Sequence, residues 1–275
     1  MRYHTKRAYG EWFGLMAGIL VFGFVIWGIN FSLGSDDEAL KIMLYIPTYL
    51  FLVVYVYLMI GAFNLSYAVT DDCFTIRWGV QRKKVVWDEV TEIVRIKGTT
   101  NLYPFLGASW PGYIIGLYSI KALGPVRMYG TKTDNGFLYL KTQKGFFGLT
   151  PEDDNLAEVI AQKTAKEVQI VNMDEIPIEE KGTNINKDRF YNLYHKLNII
   201  FLTAFAMYVA LFFPGSGAPR FIILLLVLAI ALFFFNMANA SRLFQFSPSG
   251  AYIMLLIGLA VTGIFLILAI SEVSL

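Results

Sequence analysis

The sequence predicts a membrane all-α bundle of five transmembrane helices, interrupted by a mainly-β insert that forms a small barrel capped by a C-terminal α-helix. Three observations carry this reading. Hydrophobic residues make up 56% of the 275-residue chain and charged residues only 16%, against about 25% charge in ordinary soluble domains. Five long windows contain no Asp, Glu, Lys, Arg or His. The charge that remains is concentrated, with 32 of the 44 charged residues falling in residues 65–192.

The windows run Trp12–Ser35, Ile42–Thr70, Leu197–Pro219, Phe221–Ser241 and Leu243–Ser271. About 20 mostly apolar residues span a bilayer as a helix. Helices are therefore expected near 11–32, 42–64, 194–213, 221–238 and 251–271. The first is too long for the apolar run of a signal peptide and is read as a retained anchor. A sixth charge-free window, Leu102–Ile120, contains Pro104, Gly107, Pro111, Gly112 and Gly116. Lipid penalises unsatisfied backbone groups, so this broken segment is assigned to a loop and strand of the insert. Its aromatic residues Tyr103, Trp110 and Tyr113 fit either the insert's core, the favoured reading, or a contact with the membrane interface.

Basic residues near helix ends set the expected orientation. Arg2, Lys6 and Arg7 precede the first helix, whereas the first loop carries Lys41 alone. This places the N-terminus and the insert in the cytoplasm and the C-terminus outside. Cys73, the single cysteine, allows no internal disulfide and falls on the reducing side.

Within the insert, residues 65–80 read as two strands around a tight Asp71-Asp72 turn, with Phe74, Ile76 and Trp78 alternating. Further short strands follow, rich in β-branched and aromatic residues and punctuated by turns such as Asp134-Asn135-Gly136. Thr150-Pro151-Glu152-Asp153 has the composition of a helix start: a hydroxyl cap, a proline and acids. About seven strands closed by one helix give a small antiparallel barrel, because such a sheet must cover one face and its edges.

The order of five segments carries a resemblance. They are YAVTDDCFTIRWG (67–79), VVWDEVTEIVRI (85–96), Pro111-Gly112-Tyr113 with Gly116, LGPVRMYGTKT (123–133) and GFFGLTPED (145–153). Together they resemble the bacterial pleckstrin-homology-like (PH-like) domain of membrane proteins, and within it the sublancin-immunity type group. That group is similar in carrying a membrane helix before the domain. This chain differs in having two helices before it and three after it. The implied organisation is an N-terminal tail with helices one and two (1–64), a cytoplasmic PH-like domain (65–170), an acidic linker (171–192) and helices three to five (193–275).

The resemblance implies a non-enzymatic protein or peptide interaction module, with immunity or response to membrane-acting peptides as its specific form. An accessory subunit of a membrane transporter is the alternative. The residues supply little else. HExxH, GxSxG and CxxC motifs do not occur. Asp174, Glu175, Glu179 and Glu180 lack the spacing of a metal loop, and no cofactor is expected. A net charge of +2 gives no nucleic-acid signal. Arg82, Lys83 and Lys84 form the strongest basic cluster; it reads first as a solvated hairpin tip, and second as an attraction to anionic lipid. The helix cores lack ionisable residues, which disfavours an ion-coupled transporter. Their polar residues, Asn198, Asn236 and Thr262 among them, are expected mostly near helix ends. His195 is expected as an interfacial anchor and His4 as a solvated tail residue. The expected partners are the lipid bilayer and an unidentified protein or peptide. Gly14 and Gly18 form a GxxxG pair suited to packing within the bundle or to a homo-oligomer.

Overall fold

In a computed structural model, residues 1–6, 8–34, 38–213 and 217–273 are described. Arg7, residues 35–37, 214–216 and 274–275, and the side chains of Ser32, Glu179, Asn186, Glu272 and Val273 lie outside the described residues. Five helices are long and apolar enough to cross a membrane. They are α1 (Gly10–Ser32), α2 (Glu38–Asn64), α5 (Arg189–Phe212), α6 (Arg220–Phe244) and α7 (Pro248–Val273). Two shorter helices, α3 (Leu156–Thr164) and α4 (Ile178–Lys181), lie between the second and third long ones. The chain divides into two compact units, Met1–Ile19 with Val53–Gly182 and Leu20–Leu52 with Thr183–Leu275.

In the second unit, α7 packs against both α5 and α6. Phe205, Ile222, Ala229 and Ala269 are buried in its core. The polar residues depart from expectation here. Asn198, Asn236 and Thr262 are buried rather than placed at wet helix ends. An amide in an apolar interior must find a hydrogen bond or carry its full desolvation cost. Asn198 meets this by donating to Tyr194 O at 2.8 Å in its own helix and to Leu255 O at 2.9 Å on α7. Gly258 leaves the space that the Asn236 and Asn198 amides occupy. Asp188 caps α5 by accepting from Tyr191 N and also accepts from the Tyr252 hydroxyl, both at 2.7 Å.

The first unit holds two sheets. One is four-stranded, in the order β1 (Arg2–His4), β2 (Ser66–Val69), β3 (Cys73–Trp78), β4 (Gln81–Val86). The second uses β5 (Val90–Lys97), β6 (Tyr103–Trp110), β7 (Tyr113–Ile120), β8 (Gly124–Gly130), β9 (Gly136–Thr142), β10 (Gly145–Leu149) and β11 (Val168–Asn172). Its order is β11-β5-β9-β10-β8-β7-β6. The expected barrel is not closed, and the strands are not all antiparallel. β10 runs parallel to β8, and β11 parallel to β5. The β9–β10 hairpin inserts between β5 and β8 and sets β10 beside β8, while the chain passes through α3 before β11 joins the outer side of β5.

The core explains the sequence pattern. Tyr67, Phe74, Ile76 and Val85 of the first sheet pack against Ile93, Ile115, Leu138 and Leu140 of the second and against Leu156 and Ile160 of α3. The alternate residues of the second sheet, including Val94, Tyr118, Met128, Phe137 and Tyr139, build another core with Met173. Both faces of this sheet are covered, so segments such as YIIGLYSI read as nearly continuous apolar runs.

Three local readings are corrected by long-range partners. The segment Arg2–His4, read as tail, pairs with β2 as a strand. Thr150-Pro151 does not begin a helix. The Thr150 hydroxyl accepts from Thr131 N at 2.8 Å, its carbonyl accepts from Lys6 N, and Pro151 bridges to Thr5. Helix α3 starts at Leu156 instead, after Asn155. Residues of the acidic stretch are also ordered against the sheet: β11 ends at Asn172, and the Asp174 carboxylate accepts from Thr99 N at 3.1 Å.

Tyr67 joins these parts. Its buried hydroxyl donates to Tyr129 O at 2.5 Å and accepts from Thr150 N at 3.0 Å. Burial raises its pKa well beyond the usual tyrosine range. Tyr67→Phe strands a buried carbonyl and a buried N–H, at a cost of about 1–3 kcal/mol. A lowered midpoint in denaturant unfolding of the purified full chain is the expected result.

Candidate interaction site beside the helix ends

The insert is joined to the chain ends of two apolar helices, and the joint is aromatic. β2 begins two residues after α2 ends at Asn64. The Asn64 side chain brackets the β3–β4 turn, donating to Gly79 O at 2.9 Å and accepting from Gly79 N at 2.6 Å. Trp78 stands edge-on to Tyr57 of α2 at 5.2 Å, and its indole N–H donates to the Tyr113 hydroxyl at 2.6 Å. Burial pushes the Tyr113 hydroxyl far above its ordinary pKa, so it stays protonated. Trp110 packs against Tyr113 at 4.4 Å, and its indole N–H donates to Gly10 O at 2.7 Å, at the first residue of α1. The Tyr55 hydroxyl donates to Gly14 O at 2.6 Å.

The β6–β7 turn that delivers Trp110 and Tyr113 follows from its sequence. Pro111 and Gly112 are its two central residues, and Gly112 has φ of +81°. Proline first and a positive-φ glycine second are what a type II turn requires. A side chain at Gly112 would run into Gly10, so the same glycine lets the turn touch α1. Gly14 and Gly18, expected at a helix–helix contact, face aromatic rings of this chain: Trp110 with Met59 at Gly14, and Tyr55 at Gly18.

Trp110 and Tyr113 thus come together at the helix ends, with Trp78, Tyr55 and Tyr57 as members that sequence reading missed. Tyr57 and Trp78 are far apart in sequence and neither helix nor strand periodicity pairs them. Tyr103 is separate, at the other end of β6, buried near Gly182. Arg82, Lys83 and Lys84 do not form a hairpin tip. They lie along β4, an exposed edge strand, and the turn is Gly79-Val80. His4 is exposed on β1. His195 lies inside α5, where its Nδ1 is buried with no hydrogen-bond partner among the described residues. Among the described residues, no three His, Cys, Asp or Glu side chains gather to hold a metal ion.

The β6 edge of the second sheet is different in chemistry. β6 ends its sheet, and Phe105, Leu106, Gly107 and Ser109 are exposed along it, Leu106 by 75%. An edge strand offers unpaired backbone groups, and exposed edges are commonly blunted by charge. β4 carries such charge and β6 carries none.

Gly61 sets the spacing of the joint, because a side chain there would collide with the Trp78 indole. Gly61→Leu is expected to expel Trp78 and free the β3–β4 hairpin. Faster proteolysis within residues 73–86 of the full-length protein would report it; an unchanged cleavage pattern would show that the indole is not what holds the hairpin.

Comparison with known proteins agrees with the architecture of the insert. No curated protein and no solved structure matches the chain. Residues 65–164, from the end of α2 through α3, match the family described as the bacterial PH domain.

Proposed function

We propose that this is a non-enzymatic, multi-pass protein of a bacterial cell membrane whose PH-like domain captures a protein or peptide partner at the membrane surface. The observation that carries the proposal is the uncharged, apolar edge of β6, with Leu106 exposed and Trp110 anchored to the start of α1. An extended peptide adds to such an edge through main-chain hydrogen bonds, and alternate side chains read the neighbouring surface. A strand added beside β6 would lie next to the start of α1 and the end of α2, so a peptide that reaches the cytoplasmic side of the membrane meets it there. Immunity to, or response to, such peptides is the specific form of the proposal.

The basic residues before α1 support an N-terminus and PH-like domain in the cytoplasm and a C-terminus outside. Reporter fusions check this directly. An N-terminal fusion is expected to be cytoplasmic and a C-terminal one external; a cytoplasmic C-terminus would overturn the arrangement.

Leu106→Lys tests the site. The side chain is exposed, so the fold is expected to hold, while a charge on the edge blocks strand addition. Cells carrying Leu106→Lys are expected to match a deletion strain in a panel of membrane-acting peptides. A photo-crosslinker at residue 106 should trap the peptide concerned. Wild-type sensitivity in both strains across the panel would end the immunity reading.

A further inference from the structure

The inner face of the second sheet packs against the first sheet and α3, and strand register sorts its residues into rows. One row runs Ile93–Leu140–Phe147–Arg127–Leu117–Leu106, from β5 to the β6 edge. Val126 and Met128, on either side of Arg127, belong to the other core, and Tyr129 belongs to this one, so Arg127 points to the inner face. Ile93, Leu140 and Phe147 are buried. Farther along the row the cover ends: Arg127 and Leu106 are exposed and Leu117 is half-buried. A charge in a row of core positions breaks the near-continuous apolar pattern of a sheet covered on both faces. Inward-pointing charges protect sheet edges, but β8 lies two strands in from the β6 edge, with a neighbour on each side.

The domain pairs a comparable charge elsewhere. Arg95 also stands on the inner face, across the ladder from Leu138. It donates to both carboxylate oxygens of Glu158 on α3 at 2.9 Å and to Asp154 O at 2.6 Å. Arg127 has no such carboxylate among the described residues. The domain's ion pairs use Arg95, Lys141, Lys144 and Lys163 instead. A guanidinium fork beside leucines is suited to a planar carboxylate. The row fixes where one can enter. Beyond Leu106 the edge is open, and a strand added to β6 turns every second side chain to this face.

We propose that the segment captured at the β6 edge carries a glutamate level with Leu106, whose carboxylate pairs with Arg127 across Leu106 and Leu117, so that Arg127 sets the specificity of the site. This pairing rests on the peptide-capture proposal and names the chemistry of its partner. The added strand and β8 lie three strand spacings apart, about 14 Å. Both side chains must be extended to meet over that distance, which favours glutamate over the shorter aspartate. The residue two positions along, level with Ala108, faces the row of Ile115 and Tyr129 and is expected to be apolar.

The probes are capped, fluorescein-labelled nonapeptides with valine at odd positions and threonine at even ones, the fifth residue being Glu, Asp, Gln or Lys. Each is titrated with the full-length protein in neutral detergent and read by fluorescence anisotropy. The wild type is expected to bind the Glu peptide on the order of tenfold more tightly than the Gln peptide, the scale of one charged hydrogen-bonded contact. The Asp peptide should fall between these two, and the Lys peptide should bind least. Arg127 is exposed, so its variants are expected to fold. R127Q should bind the Glu and Gln peptides equally, and R127E should prefer the Lys peptide. L106K should abolish binding of the Gln peptide, whose charge plays no part, and so reports the edge itself. Equal binding of the Glu and Gln peptides by the wild type, with loss in L106K, would overturn the carboxylate pairing and leave the edge reading standing. A Glu preference that survives in R127Q would overturn the role of Arg127. Failure of all four peptides to bind the wild type, or binding unchanged in L106K, would overturn capture at β6 and the pairing with it.

Discussion

The hydrogen bond from the Trp78 indole to the Tyr113 hydroxyl is the contact on which the first unit turns. It links the two sheets at the point where both meet α2 and, through Trp110, α1. Each donor in this cluster is an aromatic side chain with an apolar body and one polar atom. Such residues can fill the space beside a greasy helix and still satisfy a buried hydrogen bond. Aliphatic residues would pack there without fixing an orientation, and charged ones would carry a desolvation cost. The joint therefore gives the domain a defined seating on residues 10–19 and 53–64 rather than a flexible tether.

That seating accounts for why the small residues lie where they do. Gly14 and Gly18 have the GxxxG spacing and look from the sequence like a helix–helix seam; Gly61 lies on the next helix. In the structure their open faces receive Trp78, Trp110 and Tyr55. A glycine on an apolar helix removes bulk, and what fills the space depends on the nearest large side chain. The spacing was readable; the occupant was not, because it comes from strands more than ninety residues away in the case of Trp110.

The legible parts of the fold are those governed by local composition. Absence of charge over 21 or more residues marked all five long helices, and turn residues marked the strands between them. Pro111-Gly112 also carried a readable type II turn, within a window already marked as broken by its prolines and glycines. The misread parts are those where a distant partner outbids a local preference. Thr150-Pro151 has a good helix-start composition, but Lys6 and Thr131 already use its polar groups. Arg2–His4 is too short to display an alternating pattern, and only its pairing with β2 makes it a strand. The parallel partners β11 and β5 are likewise invisible locally, because register between distant segments leaves no periodic trace.

The candidate site repeats this division. Trp110, Tyr113 and the run Arg82–Lys84 stood out by residue type, but their roles came from where the two hairpins fold. The charge on β4 shows this best. On a hairpin tip, three basic residues would be freely solvated and would need no partner. On an edge strand they lie opposite Arg77, Ile76 and Thr75 in turn, so Arg82 faces Arg77 across the ladder. Like charges directly opposite each other weaken a sheet, and none of its four strands carries an acid. The same joint that orders the aromatic cluster thereby sets the height of the basic face, so the seating of the domain and its electrostatics are two consequences of one constraint.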